Sequence, residues 1–459
     1  MGNRQGQRSA KDKQLPLWNL AEDDPQTPAE TEWVAISTGA SREEKDGHFH
    51  WQYRQFFALG EQNPVKAGWL IGNKRIGGPR SIPLFAKRAH ARRFKVGLQS
   101  ICDFNFRGVK NALERVMPNR TGFVQIYEGS LADLCLTLYL APRLSSTTFF
   151  FNFFWPRQWS QLVRKHRRLW RLMRPVFQNS APNIVLLADT PKYAALMSSA
   201  TGCRVDPFPV FTPFQFAPVR AHSERTTDLL IIVKRPEDLD FAQKVLMALP
   251  QGILAESVIT GPETVLDRAD LHELTQNLEL TFITKALPDN DYVELLNSTK
   301  VVFLPYLKEH YNLGSSGKLV EACQAGCSVL VPEESGLSSQ IKDTDRTTWA
   351  TFSHSEPQLA ARNLARLIQV FPEPEQRLHS KEQALASLTQ RHLQRLRDAH
   401  HLSAGTASHW TWIVALTVGF FLSIATYWER ENLKKRAERL IDPLLSFLRL
   451  LATRRLTSR

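Results

Sequence analysis
The chain is poor in cysteine, lacks an apolar leader, and contains only one long uncharged run. Five cysteines, Cys102, Cys135, Cys203, Cys323 and Cys327, are scattered over 459 residues. An odd, dispersed set excludes a disulfide framework and reads as reduced core thiols of a cytosol-facing protein. Cys323 and Cys327 stand close together, but no second His or Cys pair nearby completes a metal site. Residues 1–29 are polar, with Gln, Asp, Lys and Pro and no hydrophobic core; this excludes a secretion signal and reads as a disordered tail. Gly6 occupies the position where N-myristoylation of Gly2 asks for Ser or Thr. Acidic residues are the scarcer sign, 45 against 58 Lys and Arg, for a formal net charge of +13. That balance points to acidic partners, and with no nucleic-acid module in sight, nucleotide phosphates and anionic lipid are preferred to nucleic acid.

What is present is an alternation of apolar β-rich runs with helical segments. In the first half the expected strands are Thr31–Thr38, Gly68–Gly72, Phe94–Leu98, Phe123–Tyr127, Thr147–Phe153 and Ile184–Ala188. Helices are expected over His50–Leu59, over Arg107–Val116 and from Glu128-Gly-Ser to Leu140. Asp206–Pro213, with three prolines, reads as a linker. A second series follows at Leu229–Val233, Ser257–Thr260, Leu280–Ile283, Val301–Leu304 and Val329–Val331. Strands alternating with helices predict an α/β class with parallel sheets covered on both faces. The expected domains are 30–213 and 214–400.

Val301–Tyr306, Tyr311–Ala322 and Gly326–Pro332 together spell strand, glycine-serine loop, helix and strand, the length of one right-handed crossover. Gly314, Ser315, Ser316 and Gly317 carry small side chains, so their amides can approach an anion at the helix N-terminus. Glu321 lies one turn inside that helix, where a carboxylate can accept hydrogen bonds from sugar or ribose hydroxyls. Phosphate at the loop and hydroxyls at the acid describe a nucleotide-sugar site.

This unit resembles the donor site of GT-B fold glycosyltransferases, close to the retaining "glycosyl transferases group 1" type. The resemblance implies two facing Rossmann-like domains, a diphosphate held by Ser315, Ser316 and Gly317, and a ribose held by Glu321. It is detailed over Asp228–Pro332 and only architectural over Thr31–Ala200. The family often carries a second Glu eight residues earlier; here that position is Leu313, with Glu309 out of register, so the stereochemical outcome stays open. The resemblance also implies a basic group against the diphosphate, for which Lys234 and Arg235 are equivalent candidates, and a glycine-bearing loop at Gly39. It places Leu287–Tyr292 in a loop against the nucleotide base. In the acceptor domain Glu128 follows a strand and is the candidate catalytic base, with Asp189 competing and Asn152 nearby. No metal and no cofactor beyond the donor are expected; Lys318 is expected in solvent.

Trp410–Trp428 is free of charge, bounded by aromatic residues, and long enough to span a bilayer. It is expected to be a single transmembrane helix, followed over 429–459 by a basic amphipathic tail. Basic residues flank it on both sides; the need for a nucleotide sugar places the catalytic domains in the cytoplasm. A basic helix expected over Arg157–Arg174 either docks on anionic lipid or is a solvated face. The sequence therefore predicts a membrane-associated glycosyltransferase acting on a lipid-linked or polysaccharide acceptor, or else a catalytically silent module of the same fold serving as a membrane scaffold.

Overall fold
The computed structural model describes residues 33–36, 69–73, 81–85, 106–117, 122–126, 129, 131–144, 146–180, 183–208, 216, 220–267, 279–342 and 346–370. The tail at 1–29, the His50–Leu59 helix, the Phe94–Leu98 strand, the Trp410–Trp428 span and the 429–459 segment all lie outside these residues. Among the described residues no helix is long and apolar enough to cross a membrane.

The first domain threads β1 (Trp33–Ile36), β2 (Trp69–Asn73), β3 (Ser81–Phe85), α1 (Phe106–Val116), β4 (Gly122–Ile126), α2 (Leu131–Leu140), β5 (Thr147–Phe153), α3 (Pro156–Lys165), α4 (Arg167–Ser180), β6 (Ile184–Ala188), α5 (Pro191–Thr201) and β7 (Val205–Pro207). The second continues with β8 (Thr227–Ile232), α6 (Pro236–Met247), β9 (Ser257–Thr260), α7 (Glu263–Leu266), β10 (Leu280–Ile283), α8 (Asp289–Ser298), β11 (Thr299–Phe303), α9 (Lys308–Tyr311), α10 (Gly317–Gln324), β12 (Ser328–Pro332), α11 (Gly336–Ile341), β13 (Trp349–Phe352) and α12 (Pro357–Gln369).

Among the described residues every strand pairing is parallel. The sheets run β3-β2-β1-β4-β5-β6-β7 and β10-β9-β8-β11-β12-β13. Both follow the doubly wound Rossmann order, in which the chain reverses direction beside the first strand and leaves a crevice there. The α/β expectation of two Rossmann-like domains therefore holds.

The strands are apolar in both phases because helices cover both faces of each sheet. In β8, Leu229 and Ile231 join one core cluster, while Leu230 and Ile232 join the cluster on the opposite face. In β5, Phe149, Phe151 and Phe153 face α3, where Trp159 meets Phe153 edge-on at 5.0 Å.

Several expectations are corrected. Val205–Pro207 is a strand paired with β6, because Val205 buries its side chain in the first core; the predicted linker begins inside the sheet. Ser81–Phe85 and Trp349–Phe352 are edge strands too short to stand out as apolar runs. The single helix over Arg157–Arg174 is two, broken at His166, whose φ of −119° leaves the helical region. Trp159, Leu162 and Trp170 turn into the core, so the apolar side of this hairpin is spent on packing, and Arg157, Arg164, Lys165, Arg167, Arg168, Arg171 and Arg174 lie on the exposed side.

Candidate functional site
The carboxyl ends of the strands converge on one place. Lys234 follows β8, the glycine-serine loop follows β11, Asn152 lies near the end of β5, and Asp189 directly follows β6. β8 and β11 are the neighbours between which the second sheet reverses, so Lys234 and the loop flank its crevice. Gly39 and Glu128, the other two candidates, lie outside the described residues.

The loop is built around the opening of α10. Ser316 takes the N-cap position with extended backbone, φ −134° and ψ 124°. Its carbonyl accepts the amides of Leu319 at 3.2 Å and Val320 at 3.3 Å, which starts the helix. The preceding amides of the first turn have no carbonyl behind them within the helix, so they face outward with the positive end of the helix dipole. Ser316 does not cap with its side chain: Oγ is buried and has no hydrogen-bond partner in the protein. It is turned to the Tyr306 hydroxyl, itself fully buried.

Glu321 is 4% exposed, yet its charge is met on one side only. Oε2 accepts the Tyr292 hydroxyl at 2.7 Å and the Lys318 ammonium at 3.0 Å. Lys318 also lies 3.9 Å from the centre of the Tyr292 ring, so it is no solvent-pointing charge as the sequence suggested. Oε1 sits beside Gly317, where an added Cβ would stand 3.7 Å away. This is the oxygen left to accept hydroxyls of a ligand. Tyr292 itself belongs to α8, which opens at Asp289, so the last four of the six residues of the expected Leu287–Tyr292 loop are helical.

Lys234 rests on a stacked pair of tyrosines. Its ammonium donates to Tyr311 Oη at 2.8 Å and stands 4.9 Å from the Tyr306 ring centre, the two rings being 4.6 Å apart and nearly parallel. A cation seated on aromatic faces is held in direction without an acidic partner to cancel it. Arg235 is the N-cap of α6, with Nη1 buried and unpartnered. The turn bearing both is pinned by Asp238, whose Oδ2 accepts the amides of Lys234 at 3.0 Å and Arg235 at 3.1 Å. Its Oδ1 reaches the Leu307 amide at 3.3 Å and so ties this turn to the β11 loop. Burial pushes the Asp238 carboxyl up, and the amides that it binds pull it back.

The first domain grips the loop from the other side. Thr190 Oγ1 donates to the Leu313 carbonyl at 2.7 Å, and Lys192 Nζ donates to Asn312 Oδ1 at 2.5 Å and the Glu334 carbonyl at 2.6 Å. The Leu313 side chain packs against the first domain's own core. Gly314 abuts the ring of Pro156, beside Trp155, a non-glycine residue held at φ +68°. Such strain persists only where surrounding packing enforces it, and here it turns the chain from β5 into α3 against the loop.

Asp189 Oδ2 lies 3.4 Å from the Ser315 hydroxyl. Burial pushes its carboxyl up to about 7, against the lowering influence of Ser315 and Asn152. Asn152 is held in turn by a tight backbone crossing, in which its carbonyl accepts the Gly129 amide at 2.9 Å and a Cβ on Gly129 would fall 2.0 Å from that oxygen. Of the residues named from sequence, Lys234, Ser315, Ser316, Gly317, Glu321, Asp189 and Asn152 are brought together. Tyr306, Tyr311 and Asp238 were missed, and Tyr292 was named only as the end of a loop; a tyrosine just past a strand end was the available signal for Tyr306.

No family model and no curated protein matches the chain by sequence. Solved structures match by fold. The N-terminal domain of Candida albicans trehalose-6-phosphate phosphatase superposes with a TM-score of 0.50 at 10% identity, covering 82% of this chain and 100% of that one. Anabaena HepE in complex with UDP gives 0.49 at 8% identity, covering 80% of this chain and 100% of that one. A glycosyltransferase involved in avilamycin A biosynthesis gives 0.46 at 12% identity, covering 80% and 97%. At such identities the likeness concerns the fold alone, an α/β architecture of two Rossmann-like units with parallel sheets.

Proposed function
We propose that the chain is a glycosyltransferase that takes a nucleoside-diphosphate sugar in the crevice between its two domains. The observation that carries this reading is the spacing of complementary groups: outward amides at Ser316 and Gly317, the aromatic-seated Lys234 across the crevice, and the open Oε1 of Glu321 one helical turn on. The amides and Lys234, with Arg235 behind, neutralise the diphosphate, and Glu321 accepts the ribose hydroxyls. As the sugar bond breaks, charge gathers on the departing phosphate, where fixed dipoles and a fixed cation stabilise it most. This assignment asks for no metal. The acceptor is a lipid-linked glycan or a polysaccharide, with the chain anchored through Trp410–Trp428 and its catalytic domains in the cytoplasm. Deletion from Trp410 onward is expected to release the protein from membranes at low salt; retention through carbonate washing argues against that anchor.

A second reading, a catalytically silent module acting as a membrane scaffold, is favoured by Leu313, whose side chain is spent on the first domain's core. The full-length chain screened with UDP-, GDP-, CDP- and ADP-sugars separates the two. Thermal stabilisation with release of the nucleoside diphosphate supports the enzyme; stabilisation without release supports the silent module. Neither effect with any of the four removes the donor site.

A further inference from the structure
Asp189 belongs to one domain and the anion loop to the other, yet the two are in contact. Its Oδ2 meets the Ser315 hydroxyl, while its Oδ1 is buried with no hydrogen-bond partner in the protein. Asn152, whose side chain is turned toward Asp189, keeps its Oδ1 buried and unpartnered as well. Two orphaned polar atoms of residues at most 6% exposed, beside a loop of outward amides, form a place prepared for a polar ligand.

The charges around Asp189 are accounted for. From α5, Tyr193 faces it and is held neutral by burial, its ionisation further opposed by Asp189. Lys192, also on α5, is turned to Asn312 and to the Glu334 carbonyl. Lys308 pairs with the Glu334 carboxylate, and Lys234 sits on its tyrosines. From β5 comes only the neutral Asn152. An ionised Asp189 would thus face a bound diphosphate with no cation directed at it, and a like charge within about 4–6 Å disfavours the ionised form.

We infer that the donor diphosphate binds with uptake of one proton by Asp189, which as the neutral acid becomes part of the anion site and donates its O–H to a donor oxygen. The proton comes from solvent, and no covalent bond in the substrate changes. As a carboxylate Asp189 holds the Ser315 hydroxyl for itself; once protonated it frees that hydroxyl to turn toward phosphate. Burial alone already brings the carboxyl to the edge of neutrality, so a small added repulsion is enough to charge it with a proton. The inference deepens the donor-site reading and rests on it.

The test is calorimetric titration of the full-length chain with UDP-glucose, GDP-mannose and ADP-glucose, whose doubly esterified diphosphates do not titrate between about pH 6 and 9. Two buffers of different ionisation enthalpy count the protons. Wild type is expected to take up close to one proton per donor at pH 8 and to lose affinity by about tenfold per pH unit above about pH 7. Asp189→Asn is expected to bind with a flat pH profile, as tightly at pH 9 as wild type at pH 6. Asp189→Ala is expected to be flat but weaker, since it lacks the donor group. Without ligand, the raised carboxyl penalises the folded state more as it ionises. The unfolding midpoint of Asp189→Asn should therefore exceed that of wild type by a margin that grows from about pH 4 to pH 8. A flat wild-type profile without proton uptake overturns the coupling and leaves the donor site standing. If none of the three donors binds to wild type or to Asp189→Asn at any pH, both fall together.

Discussion

Gly336 opens α11 against the backbone of the anion loop, and its missing side chain sets the distance between them. A Cβ built there would lie 2.2 Å from the Gly314 carbonyl oxygen, 2.8 Å from the Leu313 carbonyl carbon and 3.0 Å from that of Gly314. All three are main-chain atoms, so no side chain can swing aside. Clearing the closest contact to an ordinary 3.4 Å requires a shift of about 1.2 Å in the loop or in the helix start. Gly336→Ala is therefore expected to cost about 1–3 kcal/mol of stability, as overpacked cores do. Because Gly314 leads directly to Ser315, Ser316 and Gly317, the displacement reaches the donor, where a misplacement of about 1 Å costs on the order of a hundredfold in rate. The proper control is Gly252→Ala, where φ is +77° but nothing lies within 4 Å of the new carbon. That variant should lose about 1–2 kcal/mol through left-handed backbone strain and handle the donor normally. Urea unfolding and nucleoside-diphosphate release, measured on both variants beside wild type, decide the matter. If Gly336→Ala turns over the donor as Gly252→Ala does, the loop is not held by α11 and the reasoning is wrong.

Glu321→Gln removes the charge that Tyr292 and Lys318 share and is expected to weaken nucleotide binding by about 1.5–3 kcal/mol; unchanged affinity by titration would take Glu321 out of the site. Tyr292→Phe deletes one of the two donors on Oε2, so a stability loss of about 0.5–1.5 kcal/mol is expected in denaturant unfolding. A null effect would mean that Lys318 alone satisfies the carboxylate. Replacing both Lys234 and Arg235 by Ala should lower turnover by about a hundredfold or more while changing donor affinity less, because the cation works hardest on the departing phosphate. Turnover within a factor of about two of wild type would place both side chains in solvent.

The inner strands of the second domain were legible because buried parallel strands are written as apolar runs, and Ser257–Thr260 emerges with the predicted bounds. Thr147–Phe153 did so in the first domain for the same reason. Of the edge strands of this sheet, Leu280–Ile283 was read with its bounds and Trp349–Phe352 was not, since in the latter only alternate residues are buried and no long run forms. At the site, the loop and Glu321 could be read because glycine-serine sequence before a helix has a direct physical meaning. The cross-domain contacts had no such signature: Thr190 and Leu313 are 123 residues apart, and nothing local announces that one will bond to the other. Equally, whether Lys234 or Arg235 serves the crevice turns on a tyrosine stack assembled from another loop, which only the folded chain reveals.

The packing of half-buried Leu313 against the neighbouring domain's core has a consequence for how the molecule comes apart. A hydrophobic core that borrows a residue from beyond its own boundary cannot melt alone, and the borrowed segment cannot keep its shape once the lender is gone. Heat or denaturant should thus take the pair in one concerted step rather than two. Expressing either half alone would yield a fragment with an unfilled notch on one side or a stray leucine on the other. Together with the Thr190 and Lys192 hydrogen bonds to the same loop, that side chain fastens the two Rossmann-like units to each other.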